Sequence, residues 1–383
     1  MLMNTYFSSN FKLGVLGGGQ LGKMLLAESQ KFDVHTAVLD GSADAPCAVH
    51  CHEFYMGDLM RFEDVYNFGK KVDVLTIEIE HVNIQALYKL EEEGIKVYPQ
   101  PSVIETIQHK GKQKDFYVAN GIPTSPHRRF EVLEELKKAD LAYPFVWKSA
   151  QFGYDGTGVK IVRSAEDVSK LADTACIVEA LIPFKNELAV IVARNVSGEI
   201  KTYPVVEMEF HPEANQVEYV ICPARISQEV AEKANAIALR VAEAFEHVGL
   251  LAVEMFQTAT DEIIVNEVAP RTHNSGHYSI EASLTSQFEQ HLRTVLNLPL
   301  GATDSKLAGI MVNLVGSEGY DGDVYYENME EILRMEGVTP HIYGKKQTRP
   351  FRKMGHVTIV NKDIETARVV AEKVKNTIRV ISK

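Results

Sequence analysis

The fold of the N-terminal part of this chain is decided by the stretch Leu13-Gly14-Val15-Leu16-Gly17-Gly18-Gly19-Gln20-Leu21-Gly22-Lys23-Met24. A short apolar run, which predicts a strand, stops at three glycines, and the residues up to Gln30 carry apolar side chains at helical spacing. The glycines match the pattern G-x-G-x-x-G, and Asp40 ends the next predicted strand about 20 residues further on. This arrangement is typical of loops that bind phosphate through glycine N–H groups and a helix N-terminus.

The glycine loop does not identify its ligand by itself. The pattern favours a bound phosphate, of which a nicotinamide dinucleotide is a narrower case, and a tight turn that only packs a helix on a sheet is the structural alternative. Further strands are predicted at 34–39, 72–79 and 96–98, with a helix at 84–93. This alternation predicts a parallel sheet with helices on both faces, which ends near Pro99.

The composition excludes several classes of protein. Of 383 residues, 45% are hydrophobic and 24% are charged, as in a soluble globular protein of two or three domains. The 52 acidic residues outnumber the 40 basic ones, and the formal net charge of -12 disfavours nonspecific binding to nucleic acid or to anionic membranes. No apolar run approaches the roughly 18 residues of a membrane span, and the N-terminus lacks the pattern of a signal peptide. With four cysteines, we expect reduced thiols and a cytoplasmic location.

A second glycine-rich segment, Gly153-Tyr154-Asp155-Gly156-Thr157-Gly158-Val159, lies between two predicted strands. Lys148 is on the first of these strands, so that a loop folding over a triphosphate would have an ammonium group beside it. A simple turn is the alternative interpretation. The extended segment 178–182 follows, and its backbone can pair with an adenine edge, while Glu187 can bind ribose hydroxyls. The alternative there is an ordinary strand with a surface glutamate.

Two glutamates interrupt apolar strands further along the chain. Glu254 lies in the apolar segment 252–256, and Glu267 lies in the apolar segment 265–269. An unpaired carboxylate in a buried strand is costly, whereas two carboxylates on adjacent strands are the kind of oxygen ligand that Mg²⁺ prefers. We therefore predict a Mg²⁺ site that bridges ATP phosphates, with ion pairs to core lysines or arginines as the alternative.

Three other clusters of polar side chains are weaker signals. The segment 271–277 is polar, contains glycine and follows a strand, as substrate loops often do. The basic residues between 345 and 353 suggest an anion pocket in an acidic chain, with a solvated loop as the alternative. A cysteine and histidine cluster at 47–52 resembles a metal box, but it lacks a second pair of ligands, so that we do not expect zinc.

Taken together, these residues resemble the ATP-grasp superfamily and, within it, the N5-carboxyaminoimidazole ribonucleotide synthetases of purine synthesis. The matching segments follow one another along nearly the whole chain, at 17–24, 78–82, 153–158, 266–277 and 352–356. The last two segments distinguish this family from other ATP-grasp enzymes. Lys110 stands where the family frequently has arginine. The ammonium group of lysine offers a single point charge in place of the two-point contact that a guanidinium group can make.

The resemblance implies an α/β architecture, the ATP-grasp fold with an N-terminal Rossmann-like (pre-ATP-grasp) domain and a small C-terminal α+β domain. The implied boundaries are 1–105 for the N-terminal domain, which would bind the ribonucleotide phosphate, 106–300 for the ATP-grasp domain with its lid at about 115–183, and 301–383 for the C-terminal domain. The implied assembly is a homodimer.

The activity that the resemblance implies is that of an ATP-dependent ligase. ATP, bicarbonate and 5-aminoimidazole ribonucleotide would give ADP, phosphate and the N-carboxylated ribonucleotide, with Mg²⁺, or in its place Mn²⁺, as the metal. The alternatives are another ATP-grasp ligase or formyltransferase of purine synthesis, a nicotinamide-dependent oxidoreductase, and a catalytically silent protein that binds ATP.

The resemblance also assigns site residues by position. Those that would hold ATP are Lys110, Lys148, Gly153, Tyr154, Asp155, Gly156, Thr157, Gly158, Val159, Glu179, Ala180, Leu181, Ile182, Glu187, His211, Asn266 and Glu267. Those that would bind the metal are Glu254 and Glu267. Those that would contact the ribonucleotide are Gly19, Gln20, Leu21, Glu78, Glu80, Tyr154, Arg271, His273, Lys345 and Arg352.

Four of these residues would act at the reacting end of the site. The resemblance implies that Asp155 accepts the proton of the substrate amine and that Lys345 steadies carboxyphosphate or the released phosphate. Arg271 and His273 would complete the catalytic group.

Overall fold

The computed structural model describes residues 10–151, 158–212, 214 and 216–383. Its N-terminal unit alternates strands and helices, in the order β1 (Lys12–Leu16), α1 (Gln20–Lys31), β2 (His35–Asp40), β3 (Glu53–Met56), α2 (Phe62–Gly69), β4 (Val74–Ile77), α3 (Ile84–Glu92), β5 (Lys96–Val97) and α4 (Pro101–Gln108). The five strands form one parallel sheet in the order β3-β2-β1-β4-β5. The parallel α/β sheet predicted around the first glycine loop is confirmed.

Helices cover both faces of this sheet because the side chains of each strand alternate between two apolar clusters. On β1, Leu13 and Val15 belong to the cluster that contains Leu25 of α1. Leu16 points to the opposite face and belongs to the cluster that contains Leu87 of α3. The glycine loop between β1 and α1 is therefore held at the carboxyl edge of a sheet that is packed on both sides.

One strand of this sheet escapes the sequence pattern. The strand predicted third in the chain, at 72–79, is the fourth, because β3 precedes it. β3 is an edge strand whose four side chains are all partly or fully exposed. Its sequence therefore lacks the apolar alternation by which half-buried strands are recognised.

A small antiparallel sheet with its own apolar core forms the lid region. It follows helix α5 (Lys110–Ala119) and consists of β6 (His127–Phe130), α6 (Leu133–Lys138), β7 (Phe145–Ser149), β8 (Val159–Val162), α7 (Ala165–Ser169) and β9 (Cys176–Ala180). The strand order is β6-β9-β7-β8, around a core that includes Trp147. β7 and β8 pair antiparallel, with Lys148 opposite Val159. The strands predicted on both sides of the second glycine loop are confirmed, whereas residues 152–157 of that loop lie outside the described residues.

The central region carries the longest strands. Its elements are β10 (Phe184–Arg194), β11 (Ile200–Thr202), β12 (Val206–Phe210), β13 (Val217–Cys222), α8 (Gln228–Phe245), β14 (Gly249–Thr258), β15 (Ile263–Ala269), a short 3-10 helix (Asn274–Gly276), α9 (Ser279–Ala282) and α10 (Gln287–Val295). β12 pairs antiparallel with β10 on one side and with β13 on the other. The segment between β10 and β13 is divided into β11 and β12 around Pro204, which has no N–H group to donate to a ladder.

The C-terminal region continues the central sheet. Its elements are β16 (Ala308–Val315), β17 (Gly322–Glu327), α11 (Met329–Leu333), β18 (Val338–Ile342), β19 (Gln347–Thr348), β20 (Lys353–Asn361), α12 (Ile364–Thr377) and β21 (Arg379–Ser382). β16 pairs with β13, so that one sheet runs in the order β15-β14-β10-β12-β13-β16-β20-β18, with β11 beside β10. β17, β19 and β21 form a separate three-stranded sheet. Within the described ranges, no helix has the length and apolar character needed to cross a membrane.

The buried strand β14 gives a test of where the stability of the central sheet lies. Leu251 is 0% exposed and packs in the cluster between this sheet and α8, so that Leu251→Ala should lower the free energy of unfolding by about 2–5 kcal/mol. Leu284, which is 58% exposed, is the matched control, and Leu284→Ala should change the free energy of unfolding by less than about 0.5 kcal/mol. Urea denaturation followed by far-ultraviolet circular dichroism measures both, and equal midpoints would contradict this assignment of the core.

Candidate active site

Two carboxylates face each other across the central sheet. β14 and β15 pair antiparallel with Glu254 directly opposite Glu267, so that both side chains lie on one face. Burial, and then the charges of Glu267 and Glu187, raise the pKa of Glu254 above its usual range. The Lys110 ammonium holds the pKa of Glu267 well below its usual range. The adjacency predicted for these two strands is confirmed, and it concentrates negative charge at one point.

Lysines from two other elements lie beside this pair. Lys110, the first residue of α5, forms an ion pair with Glu267. Lys148 of β7 donates to Asn266 Oδ1 at 2.9 Å, and its Nζ lies 3.0 Å from Glu179 Oε1. The structure therefore brings five of the predicted ATP residues together at the junction of the lid and the central sheet.

The Glu179 carboxylate is fully engaged in a buried cluster. It accepts from Ser125 Oγ at 2.5 Å, and it lies between the ammonium groups of Lys148 and Lys114, 3.0 Å and 3.1 Å away. Although burial opposes ionisation, Lys148 and Lys114 lower the pKa of Glu179 to about 2. Its side chain is thus committed to the protein, and the following residues Ala180, Leu181 and Ile182 offer mainly backbone to a ligand.

Lys114 is a member of the site that the sequence analysis missed. It lies one helical turn after Lys110 on α5, and its side chain is 2% exposed. Burial lowers its pKa to about 8, in spite of the opposing charge of Glu179. The spacing of four residues from Lys110 is the signal that could have found it, because side chains at i and i+4 share one face of a helix.

Glu187 lies on β10, the strand next to β14. It stands opposite Phe256 in the strand register, two positions away from the register pair of Ala189 and Glu254. Burial raises the pKa of Glu187 to about 7.

The loop after β15 holds two polar side chains against carboxylates. Arg271 donates to both oxygens of Glu80, at 2.5 Å from Nε and 3.1 Å from Nη2. Ser275 N–H donates to His273 Nδ1, which assigns the ring proton to Nε2, and Nε2 lies 3.3 Å from Glu254 Oε1. Burial, and then the Arg271 charge, lower the pKa of His273 to about 3, so that a neutral ring lies beside the Glu254 carboxyl group.

The first glycine loop is filled by carboxylates of the protein. Gly18 N donates to Asp40 Oδ2 at 2.7 Å, and Leu21 N donates to Glu78 Oε1 at 3.0 Å. A Cβ atom at Gly19 would collide with Glu78, so that this close approach requires glycine. Asp40, which would bind a ribose in a dinucleotide site, is used to hold the loop. The N–H groups of Gly18 and Leu21, which were expected to bind a phosphate, donate to these two carboxylates instead.

The C-terminal region docks on the helix that follows this loop. Lys23 of α1 donates from Nζ to Ile342 O at 2.9 Å, and Lys346 forms an ion pair with Asp44. The basic segment 343–353 is therefore held beside the glycine loop, although more than 300 residues separate the two in the chain.

Within this basic segment, two predicted site residues are steadied by backbone carbonyl groups. Lys345 Nζ donates to Lys353 O at 2.7 Å, and Arg352 Nη1 donates to Gln347 O at 2.6 Å. Both side chains are partly exposed. Both cationic groups are thus held close to their own segment of the chain.

The remaining predicted ATP residues lie on the hairpin between β12 and β13 or in and beside the second glycine loop. His211 is on the hairpin between β12 and β13, where its ring lies 5.9 Å from that of Phe351 in the C-terminal region. Gly158 directly precedes β8, which begins at Val159, and Ser149 N donates to Gly158 O at 2.9 Å. Gly153, Tyr154, Asp155, Gly156 and Thr157 lie outside the described residues.

Comparison with protein families assigns three segments of the chain to known domains. Residues 11–108 match the ribonucleotide synthetase preATP-grasp domain, residues 115–288 match the ATP-grasp domain, and residues 309–369 match the phosphoribosylaminoimidazole carboxylase C-terminal domain. The fold and the paired carboxylates with their lysines thus have the organisation of an ATP-grasp enzyme.

Individual relatives narrow the assignment. The N5-carboxyaminoimidazole ribonucleotide synthase of Bacillus subtilis is 37% identical over 355 residues, which cover 91% of each chain. The N5-carboxyaminoimidazole ribonucleotide synthetase structure from Thermotoga maritima is 42% identical, with a TM-score of 0.90 over 97% of this chain and 100% of that one. The Aspergillus clavatus synthase, solved with ADP and 5-aminoimidazole ribonucleotide, is 34% identical, with a TM-score of 0.87 over 96% of this chain and 98% of that one. This chain belongs to the N5-carboxyaminoimidazole ribonucleotide synthase family.

Longer relatives also match. Fungal and plant proteins named phosphoribosylaminoimidazole carboxylase are 36–37% identical, and this chain spans 63–65% of their length.

The buried Glu179 cluster predicts a specific dependence of stability on pH. The pKa of Glu179 is about 2 in the folded protein and near its usual 4.5 in the unfolded chain, so that unfolding takes up a proton between these values. The free energy of unfolding should therefore fall by about 1.4 kcal/mol per pH unit for this group as the pH drops below 4.5, and the contribution is fully present above it.

Glu179→Gln removes this group, and the free energy of unfolding of the variant should depend less steeply on pH between 4.5 and 3. Urea denaturation at stepped pH measures the slope. Glu131→Gln, at an exposed position of the same lid region, serves as the control and should keep the wild-type slope. Identical slopes for the wild type and Glu179→Gln would show that folding does not lower the pKa of Glu179.

Proposed function

We propose that this protein carboxylates 5-aminoimidazole ribonucleotide with bicarbonate in an ATP-dependent reaction, giving N5-carboxyaminoimidazole ribonucleotide, ADP and phosphate. The observation that carries the proposal is the facing pair of Glu254 and Glu267 with Lys110 and Lys148 beside it. This pair lies in a chain whose family acts on this ribonucleotide. The arrangement supplies the charges that phosphoryl transfer requires, because the reaction depends on neutralising and positioning phosphate oxygens.

The donor set at the carboxylate pair fits Mg²⁺, with Mn²⁺ as a substitute. Glu254 and Glu267 supply oxygen ligands from adjacent strands, and Asn266 lies between them and Lys148. In the described part of the chain, no group of three or more histidine, cysteine, aspartate or glutamate side chains could hold a metal. Mg²⁺ is commonly bound by one or two carboxylates and completed by phosphate oxygens and water, which is what this pair allows. When bound, the ion would neutralise phosphate charge.

ATP binding is assigned to the junction of the lid and the central sheet. Lys110 and Lys148 would exchange their present carboxylate and amide partners for phosphate oxygens. The backbone of 180–182 would pair with adenine, and Glu187 would bind the ribose hydroxyls. The glycine loop 153–159 would cover the triphosphate and exclude water, which protects a reactive acyl phosphate from hydrolysis.

The ribonucleotide is assigned to the space between the first glycine loop, at 17–22, and the C-terminal region. Glu78 and Asp40 already accept from the loop N–H groups, and a dianionic phosphate beside these carboxylates would be repelled. We therefore place the phosphate of the substrate on the side of Lys345 and Arg352, and its ribose and imidazole towards Glu78. The amine then points to the end of the site where Arg271 and His273 lie.

The reaction proceeds in two bond exchanges. A bicarbonate oxygen bonds to the γ-phosphorus while the bond to the departing ADP oxygen breaks, which gives carboxyphosphate. The substrate nitrogen then bonds to the carboxyl carbon, either directly or after release of CO₂, while the bond to phosphate breaks and the nitrogen loses a proton. Asp155 is assigned to accept this proton, and Lys345 to steady the phosphate. The neutral His273 ring, whose Nε2 lies 3.3 Å from Glu254 Oε1, would orient that carboxyl group.

The assembly and the location are proposed on the resemblance to the family. The expected assembly is a homodimer in the cytoplasm. Light scattering on the purified full chain should give the mass of two chains, and the mass of one chain would exclude the dimer.

A phosphate-release assay tests the reaction. With ATP, Mg²⁺ and bicarbonate, freshly prepared 5-aminoimidazole ribonucleotide should strongly stimulate release. Glu267→Gln should reduce the stimulated rate by at least about 100-fold, because a ligand of the metal is lost. Glu262→Gln is the matched control on the same hairpin, at an exposed position, and should keep the wild-type rate.

Two outcomes of this assay would contradict the proposal. A folded protein that binds ATP but is not stimulated by the ribonucleotide acts on another substrate, and other amines of purine synthesis would then be tested. Asp155→Asn is the second variant, and full activity in it would remove Asp155 as the proton acceptor.

A further inference from the structure

Lys114 and Lys148 share one carboxylate at the base of the lid. Glu179 lies on β9 of the lid sheet, with Oε1 3.0 Å from Lys148 and Oε2 3.1 Å from Lys114. Lys148 belongs to the same lid sheet, whereas Lys114 belongs to α5, which precedes the lid. The carboxylate thus joins a lysine that would move with the lid to a lysine that would stay with the rest of the molecule.

The other contacts of Lys114 are all with oxygen atoms of the protein. Its Nζ lies 2.8 Å from Thr124 Oγ1, 3.1 Å from Ser125 Oγ and 3.4 Å from Val265 O. These three acceptors match the three N–H bonds of the ammonium group, Glu179 Oε2 lies 3.1 Å away as the counter-charge, and the side chain is 2% exposed. Lys114 therefore has no position from which to bind a nucleotide directly.

Lys148 has a different set of neighbours. Besides Glu179, it donates to Asn266 Oδ1, and Asn266 precedes Glu267 of the carboxylate pair. The Lys148 side chain is 9% exposed, compared with 2% for Lys114, and a phosphate oxygen in the site could replace its Asn266 partner. Moving it to a phosphate leaves Glu179 buried with one lysine fewer, and a buried carboxylate without a counter-charge is strongly unfavourable.

Building on the function proposed above, we propose that Lys114 is a positioning residue for ATP, which holds the Glu179 carboxylate so that Lys148 is free to bind the phosphates. Without Lys114, Glu179 would retain Lys148 as its counter-ion and compete with the nucleotide for it. The same ammonium group contacts the carbonyl of Val265, next to Asn266, and so also steadies the strand that carries Glu267.

The test compares full-length variants in their binding of a non-hydrolysable ATP analogue with Mg²⁺ and of AMP, by titration calorimetry. Lys114→Met should weaken binding of the analogue by about tenfold or more, as expected for a misplaced charged contact. Binding of AMP should change by less than about twofold, because AMP lacks the phosphates that Lys148 would hold. A merely structural defect would weaken the binding of both nucleotides.

Three further variants separate the proposed role from a loss of folding. Lys114→Arg keeps the charge and should bind the analogue nearly as the wild type does. Lys114→Met combined with Glu179→Gln removes both buried charges, and it should recover most of the affinity that Lys114→Met loses. Lys112→Met is the control on the same helix, because this lysine is exposed and pairs with Glu105.

The proposal is overturned if Lys114→Met binds the analogue as the wild type does, if AMP binding falls equally, or if the double variant binds no better than Lys114→Met. If Lys114→Met does not fold, Lys114→Arg and the double variant are compared with the wild type instead. The proposal is then overturned if the double variant, which lacks both buried charges, binds neither the analogue nor AMP. These measurements need neither bicarbonate nor the ribonucleotide, so that a failure of the carboxylation assay leaves their outcome interpretable.

Discussion

The antiparallel pairing of β14 and β15 places Glu254 opposite Glu267, and the surrounding site depends on this pairing of two acidic side chains. Two neighbouring, partly buried carboxylates repel each other, so that one must bind a proton or be balanced by a cation. The Lys110 ammonium pairs with Glu267, whereas burial and the neighbouring charges raise the pKa of Glu254, beside which the neutral His273 ring lies. These partners come from helix α5 and from the loop after β15, so that the elements of the site are ordered around one pair of side chains.

A second constraint is the continuity of the central sheet into the C-terminal region. Because β16 pairs with β13, the loop after β18 reaches back to the N-terminal unit, where Ile342 accepts from Lys23. The glycine loop and the basic segment 343–353 thereby become two sides of one region. The central region also contacts the N-terminal unit, because Arg271 donates to Glu80, so that both later parts of the chain are joined to the first.

Much of this architecture follows from local sequence patterns. The parallel N-terminal sheet, the hairpin around the second glycine loop and the adjacent acidic strands were all predictable, because each depends on apolar periodicity and glycine spacing over a short stretch. The edge strand β3 was not, because its exposed side chains show no alternation. Nor was the joining of β13 to β16, since strand partners distant in the chain leave no trace in the periodicity of either strand.

The sequence was enough to single out several functional residues, but it did not show which side chains they contact. Sequence indicated that Glu254, Glu267 and Lys148 carry function, because charged side chains within apolar strands need a compensating group. Only the folded chain shows that Asp40 and Glu78 occupy donors of the glycine loop and that Lys114 shares Glu179 with Lys148. The physical reason is that a residue's identity and local pattern are written in the chain, while charge compensation depends on contacts between segments far apart in sequence, which the packing of the sheets alone decides.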